Sequence, residues 1–133
     1  MTHNHFFMTE SDLISLLSIS FAKQLAWYCE LSELVQKTLG QLVLSRGDVT
    51  LVMENFTHKQ KVLDLIVEER GRIGGTVDLW QHHKKEIKAG PASDGLDALL
   101  KKTAAAISEF LDGEEQLKRY LEHVKNPQGD IQP

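Results

Sequence analysis

Between Thr9 and Gly47 the chain carries no proline and one glycine, Gly40, and its apolar residues recur at intervals of three and four. The stripe Ile14, Leu17, Phe21, Leu25, Tyr28, Leu31, Val35, Leu39 and Leu42 lies along one face of an α-helix. It cannot line one face of a strand, whose faces alternate at every residue. At about 1.5 Å per residue a helix over 9–46 is roughly 50 Å long. Thr9 and Ser11 can each cap its start, with Asp12 three residues after Thr9 as a weak form of the capping box. Gly47, behind Arg46, marks its end.

Asp48 offers the next N-cap. Beyond it Val52, Phe56, Leu63, Ile66, Ile73, Val77, Trp80 and Ile87 keep a heptad-like spacing, with Lys59, Arg70 and Lys84 in seam positions. Gly71, Gly74 and Gly75 each weaken the helix by about 1 kcal/mol relative to alanine. Yet the apolar register is the same before and after them, which a loop has no reason to preserve. A second helix over 48–88 with a weakened or kinked middle follows. The alternative is a break at Gly74–Gly75, with Thr76 capping a new helix. Residues 89–95, with Gly90, Pro91 and Gly95, read as a loop. A third helix over 94–125 carries Leu96, Leu99, Leu100, Thr103, Ile107, Phe110, Leu117, Leu121 and Val124, is weakened at Gly113, and stops at Asn126–Pro127. Residues 1–8, with Phe6 and Phe7, and 126–133 read as flexible ends. The expected fold is all-α: one helical domain, an elongated antiparallel bundle or coiled-coil hairpin of three long helices, with the third returning along part of the first two.

Composition narrows the function classes. The 133 residues suit one domain and are 41% hydrophobic and 26% charged, which argues against wholesale disorder. A net charge of −4 without a basic tract disfavours nucleic acid. The segment richest in apolar residues, Leu13–Ile19, is broken by Ser15 and Ser18 and falls short of the ~20 apolar residues that span a bilayer. No basic-then-apolar leader opens the chain. A cytoplasmic protein is expected. Cys29 is the lone cysteine, so no intramolecular disulfide can form, and it reads as a buried structural thiol.

Few residues suggest chemistry. His82 and Glu86, like Glu54 and His58, share a helix face at i and i+4, but neither pair sits in an H-E-x-x-H pattern. His3 and His5 lie at the chain's start. Arg70 to Gly75 lacks the spacing and the lysine of a phosphate loop. No catalytic residue, metal ligand or cofactor is expected, and a binding protein is favoured over an enzyme. The unusual feature is excess apolar surface. Leu13, Leu16, Ile19, Trp27, Leu34 and Val43 form a second set beside the main stripe of helix one. Either helix three covers it, or it is a surface for an amphipathic helix of another chain or for homodimerisation.

The stretch from Ser45 to Ile73, SRGDVTLVMENFTHKQKVLDLIVEERGRI, resembles the middle of the FlgN family of flagellar export chaperones. Gly47–Asp48, Lys61, Leu63, Ile66 and Arg70 correspond to its step between helices and the leucine-rich helix that follows. Leu96, Leu99, Leu100, Ile107, Phe110 and Leu111 fit its third helix. FliT-type chaperones share the layout. The doubled glycine of helix two and the glycines of helix three depart from the family pattern. The resemblance implies a cytoplasmic type III export chaperone without enzymatic activity. Its partners would be the C-terminal amphipathic helices of hook–filament junction (hook-associated) proteins and a component of the export gate. By position it implies a docking role for Phe110, Leu117, Tyr120, Leu121 and Val124.

Overall fold

The computed structural model describes residues 9–86 and 90–125. The ends 1–8 and 126–133, with His3, His5, Phe6 and Phe7, and the Ile87–Ala89 part of the second connection lie outside the described residues. The fold is all-α, with three long helices: α1 (Glu10–Leu44), α2 (Met53–His83) and α3 (Pro91–Lys125). A 3-10 turn over Val49–Val52 leads into α2.

The helix ends follow from local chemistry. The Thr9 hydroxyl accepts from the Asp12 amide at 3.0 Å, so Thr9 rather than Ser11 is the cap of α1. At the other end the Gly47 amide donates to the Leu42 carbonyl at 2.8 Å and the Arg46 amide to the Val43 carbonyl at 3.3 Å. This is the Schellman pattern, and it stops α1 at Leu44, short of Arg46. Its left-handed position is taken by Arg46 (φ 57°), with Gly47 (φ 93°) one residue later. Asp48 does cap, but it caps the 3-10 turn, accepting from the Thr50 amide at 3.2 Å. α3 begins at Pro91, earlier than the expected 94. Proline at the first helical position has no amide to leave unpaired and a φ already suited to the helix.

α2 runs antiparallel to α1: Asn55 Nδ2 donates to Gln41 Oε1 at 2.8 Å, and His58 Nε2 lies 2.6 Å from Glu30. α3 runs parallel to α1. Phe110 packs against Tyr28 with ring centroids 6.2 Å apart, and farther along Tyr120 reaches Leu42. α3 follows α1 from Leu96, clustered with Leu17, to Val124, which lies over Gly47, so it covers far more than part of the hairpin. At Gly113 α3 rests against α1. A Cβ there would lie 3.1 Å from Val35 Cγ1, so the glycine that weakens α3 also lets it sit down on α1.

The core is in two pieces. The larger holds Tyr28, Leu31, Val35 and Leu42 of α1, Val52, Val62 and Ile66 from the turn and α2, and Ala106, Phe110 and Leu117 of α3. The smaller holds Leu13, Ile14 and Leu17 of α1, Ile73 and Trp80 of α2, and Leu96 of α3. Between them, in the order of every helix, lies a buried polar layer: Ser20 and Gln24 of α1, Glu69 of α2 and Thr103 of α3. Glu69 is 6% exposed. Arg72 binds it through Nε at 3.0 Å and Nη2 at 2.6 Å. Gln24 donates to Ser20 at 3.2 Å, and Thr103 satisfies its own hydroxyl on the Leu99 carbonyl at 2.8 Å.

α2 is continuous through Gly71, Gly74 and Gly75. Its seam differs from the expected one in that Glu69 and Val62 are buried, whereas Arg70 and Lys84 are exposed. Arg70 follows Glu69 by one residue, a 100° step that carries it off the packed face.

Candidate partner groove

The backbones of α2 and α3 each lie close to α1 but not to each other, and the two helices meet only through side chains. Among the described residues no Cα of α2 lies within 8 Å of a Cα of α3. Long side chains span part of the gap, and at one end of the bundle it remains open. There Phe56 and Lys59 of α2 face Glu114, Leu117, Lys118, Leu121, Glu122 and Lys125 of α3 across a groove of about 270 Å³. The α3 residues recur at three-and-four spacing, which is why one helix lines a whole wall.

The floor is apolar and the rim charged. Lys59 Nζ reaches across to Glu114 at 2.9 Å while lying 5.4 Å from the centroid of the Phe56 ring. With Lys59 and Glu114 paired, Lys118 and Lys125 remain as cations without an ion-pair partner among the described residues, against Glu122 alone. The rim is therefore net basic on a chain that is net acidic.

The five residues carried over by the resemblance separate into two groups. Leu117 and Leu121 line the groove. Leu117 is 3% exposed and forms floor rather than surface. Phe110, 5% exposed, is an interior residue against Tyr28 and presents nothing to a partner. The Tyr120 hydroxyl donates to the Leu42 carbonyl at 3.0 Å, helping to close the end of α1, and Val124 packs over Gly47. Those three side chains hold α3 to α1. The sequence reading missed Glu114, Lys118, Glu122 and Lys125. Their signal was present as charges flanking Leu117 and Leu121 at helical spacing, but charges beside leucines also mark any solvated helix edge.

The remaining candidates are dispersed. His58 pairs with Glu30 of α1 rather than with Glu54. Glu86 lies 3.3 Å from His83 rather than beside His82, whose Nδ1 sits 3.1 Å from the Asp78 carbonyl. Among the described residues no three His, Cys, Asp or Glu side chains gather where they could hold a metal ion. Cys29 is exposed, not buried: one residue past Tyr28, it falls on the outer side of α1.

The second apolar set of helix one divides. Leu13 and Leu34 are buried and Trp27 is half-buried, while Leu16, Ile19 and Val43 stay exposed. Val43 belongs to a larger exposed group around the α1–α2 connection, with Leu44 (87% exposed), Val49, Leu51 and Met53. No helix of the described residues is long and apolar enough to cross a membrane. Set against known proteins, the chain matches no family model, no curated protein and no solved structure.

Proposed function

We propose that this chain is a non-enzymatic helix-binding protein that seats an amphipathic helix of a partner between α2 and α3. The observation that carries the reading is the unclosed groove, with apolar Phe56, Leu117 and Leu121 within and Lys118 and Lys125 free on its rim. Such a groove suits a helix with leucine-like residues at i, i+3 or i+4 and i+7 and with carboxylates along its edge. The resemblance of residues 45–73 gives this its concrete form. The partner would be the C-terminal helix of a hook–filament junction protein, shielded in the cytoplasm until export, and the chain a chaperone of the FlgN type.

The test is co-elution of the full-length protein with C-terminal segments of the hook–filament junction proteins from the same organism. A complex of fixed stoichiometry is expected, weakened by Lys118→Glu with Lys125→Glu, two exposed changes that leave the fold intact. Leu121→Asp should abolish it. Absence of a complex overturns the chaperone reading, and elution as a tight dimer moves the assignment to a self-associating helical protein. That second reading has its own support in the exposed Val43, Leu44, Val49, Leu51 and Met53 at the α1–α2 end.

A further inference from the structure

The α3 wall of the groove is one stripe of side chains. At 100° per residue, Glu114, Lys118, Leu121 and Lys125 fall within about 60° of one another around the helix. Leu117 lies on the α1 side of that stripe as floor, and Glu122 stands off its other edge. Glu114 is taken by Lys59 at 2.9 Å, so beyond it the stripe reads cation, apolar, cation. Lys118 and Lys125 are exposed, and Leu121 between them is half-buried against the core. Neither ammonium has an ion-pair partner among the described residues. The two lysines stand seven residues apart, which is about 10.5 Å, or two turns of helix.

The geometry points to the chemistry of the groove's occupant: an α-helix of another protein that presents carboxylate, apolar residue, carboxylate at i, i+3 or i+4, and i+7. This rests on the helix-binding reading and states what that helix must carry. Helices lying side by side share a rise of about 1.5 Å per residue. Carboxylates two turns apart therefore meet Lys118 and Lys125 together, while the apolar residue between them lies on Leu121 opposite Phe56. Carboxylates at a shorter spacing reach one lysine and leave the other unpaired. The same count disfavours a second copy of this chain as the occupant. Among its 19 acidic residues a single pair, Glu115 and Glu122, stands seven apart, and Lys118 and Arg119 lie between them. That stripe would set a cation on Leu121, so the charge pattern selects a foreign helix over a copy.

Two dye-labelled, end-blocked helical peptides of identical composition test this against the full-length protein. Both carry one leucine stripe. In the first, two glutamates flank a leucine of the stripe seven residues apart; in the second they stand three apart on the same edge. At about 0.01 M salt the first should bind about threefold tighter. The preference should vanish in the Lys118→Gln, Lys125→Gln protein, checked for unchanged helicity and Tm, and should shrink at about 0.15 M salt. Equal binding of the two peptides overturns the inference and leaves the helix-binding reading in place. A preference that survives loss of both lysines also overturns it. So does self-association that the same double variant abolishes, since a second copy is then the occupant. Binding of neither peptide overturns it too, and co-elution with the hook–filament junction segments then decides the helix-binding reading separately.

Discussion

Two residues are in conformations or environments that their types do not favour, and each makes a prediction. Arg46 occupies the left-handed position that ends α1, where a Cβ crowds the backbone and glycine does not. Arg46→Gly should raise unfolding stability by about 1 kcal/mol in a denaturant titration; a loss would mean that the arginine side chain holds the turn. Glu69 is a carboxylate inside the bundle. The Arg72 guanidinium bound to it, helped by the Ser20 hydroxyl and by Lys23 and opposed by burial, brings its pKa down from 4.5 to about 2. A folded-state value below the unfolded one means that the charged pair stabilises the fold above about pH 4.5, and that this contribution is lost as pH falls toward 2. Glu69→Gln should be destabilised by about 1.5 kcal/mol at pH 7. The gap to the wild type should narrow in denaturation midpoints taken at successively lower pH over that window. A gap that does not change with pH would show that the carboxylate's charge is irrelevant there.

At the scale of the element, α1 and α2 illustrate opposite uses of glycine. Gly47 is required: its positive φ is one that side chains rarely adopt, and a Cβ there would come within 2.7 Å of Val124. Gly74 is not required, since it has helical geometry and open space where a Cβ would go. Gly74→Ala should therefore raise stability by about 0.5–1 kcal/mol, read as a higher Tm with unchanged helicity. A decrease would show that α2 leaves helical geometry at this point in solution.

At the scale of the whole molecule, the backbones of α2 and α3 flank α1 and stay apart from each other, while side chains of all three helices share the core. The tightness of one flank depends on Gly113, where α3 rests on Val35 and Gln36 of α1. Gly113→Leu should push the helices apart and cost about 3 kcal/mol. Because Leu117 lies one turn farther along α3 and lines the groove, the same change should also weaken partner binding where the protein stays folded. Undiminished binding by a folded Gly113→Leu protein would separate the groove from the α1–α3 contact.

Much of this was legible in the sequence, because helices are specified locally. The period of Ile14 through Leu42, the cap at Thr9, and the register kept across Gly71–Gly75 give the long helices, whereas Asp48, expected to cap the second helix, caps the 3-10 turn before it. An absent breaker can be read from residues alone. What tertiary structure decided is which neighbour meets which face. Periodicity gives the angle of a side chain around its own helix, but not the distance to the next helix. Glu69 and Arg70 are adjacent charges, yet one is buried and the other faces water. Leu117 and Phe110 share a stripe, yet only Leu117 lines the groove. Gly113 weakens α3 by propensity, yet it lets the helix rest on Val35. The groove exists because α2 and α3 stay apart, and a spacing between two helices is a property of their packing on a third, written in no single segment of the chain.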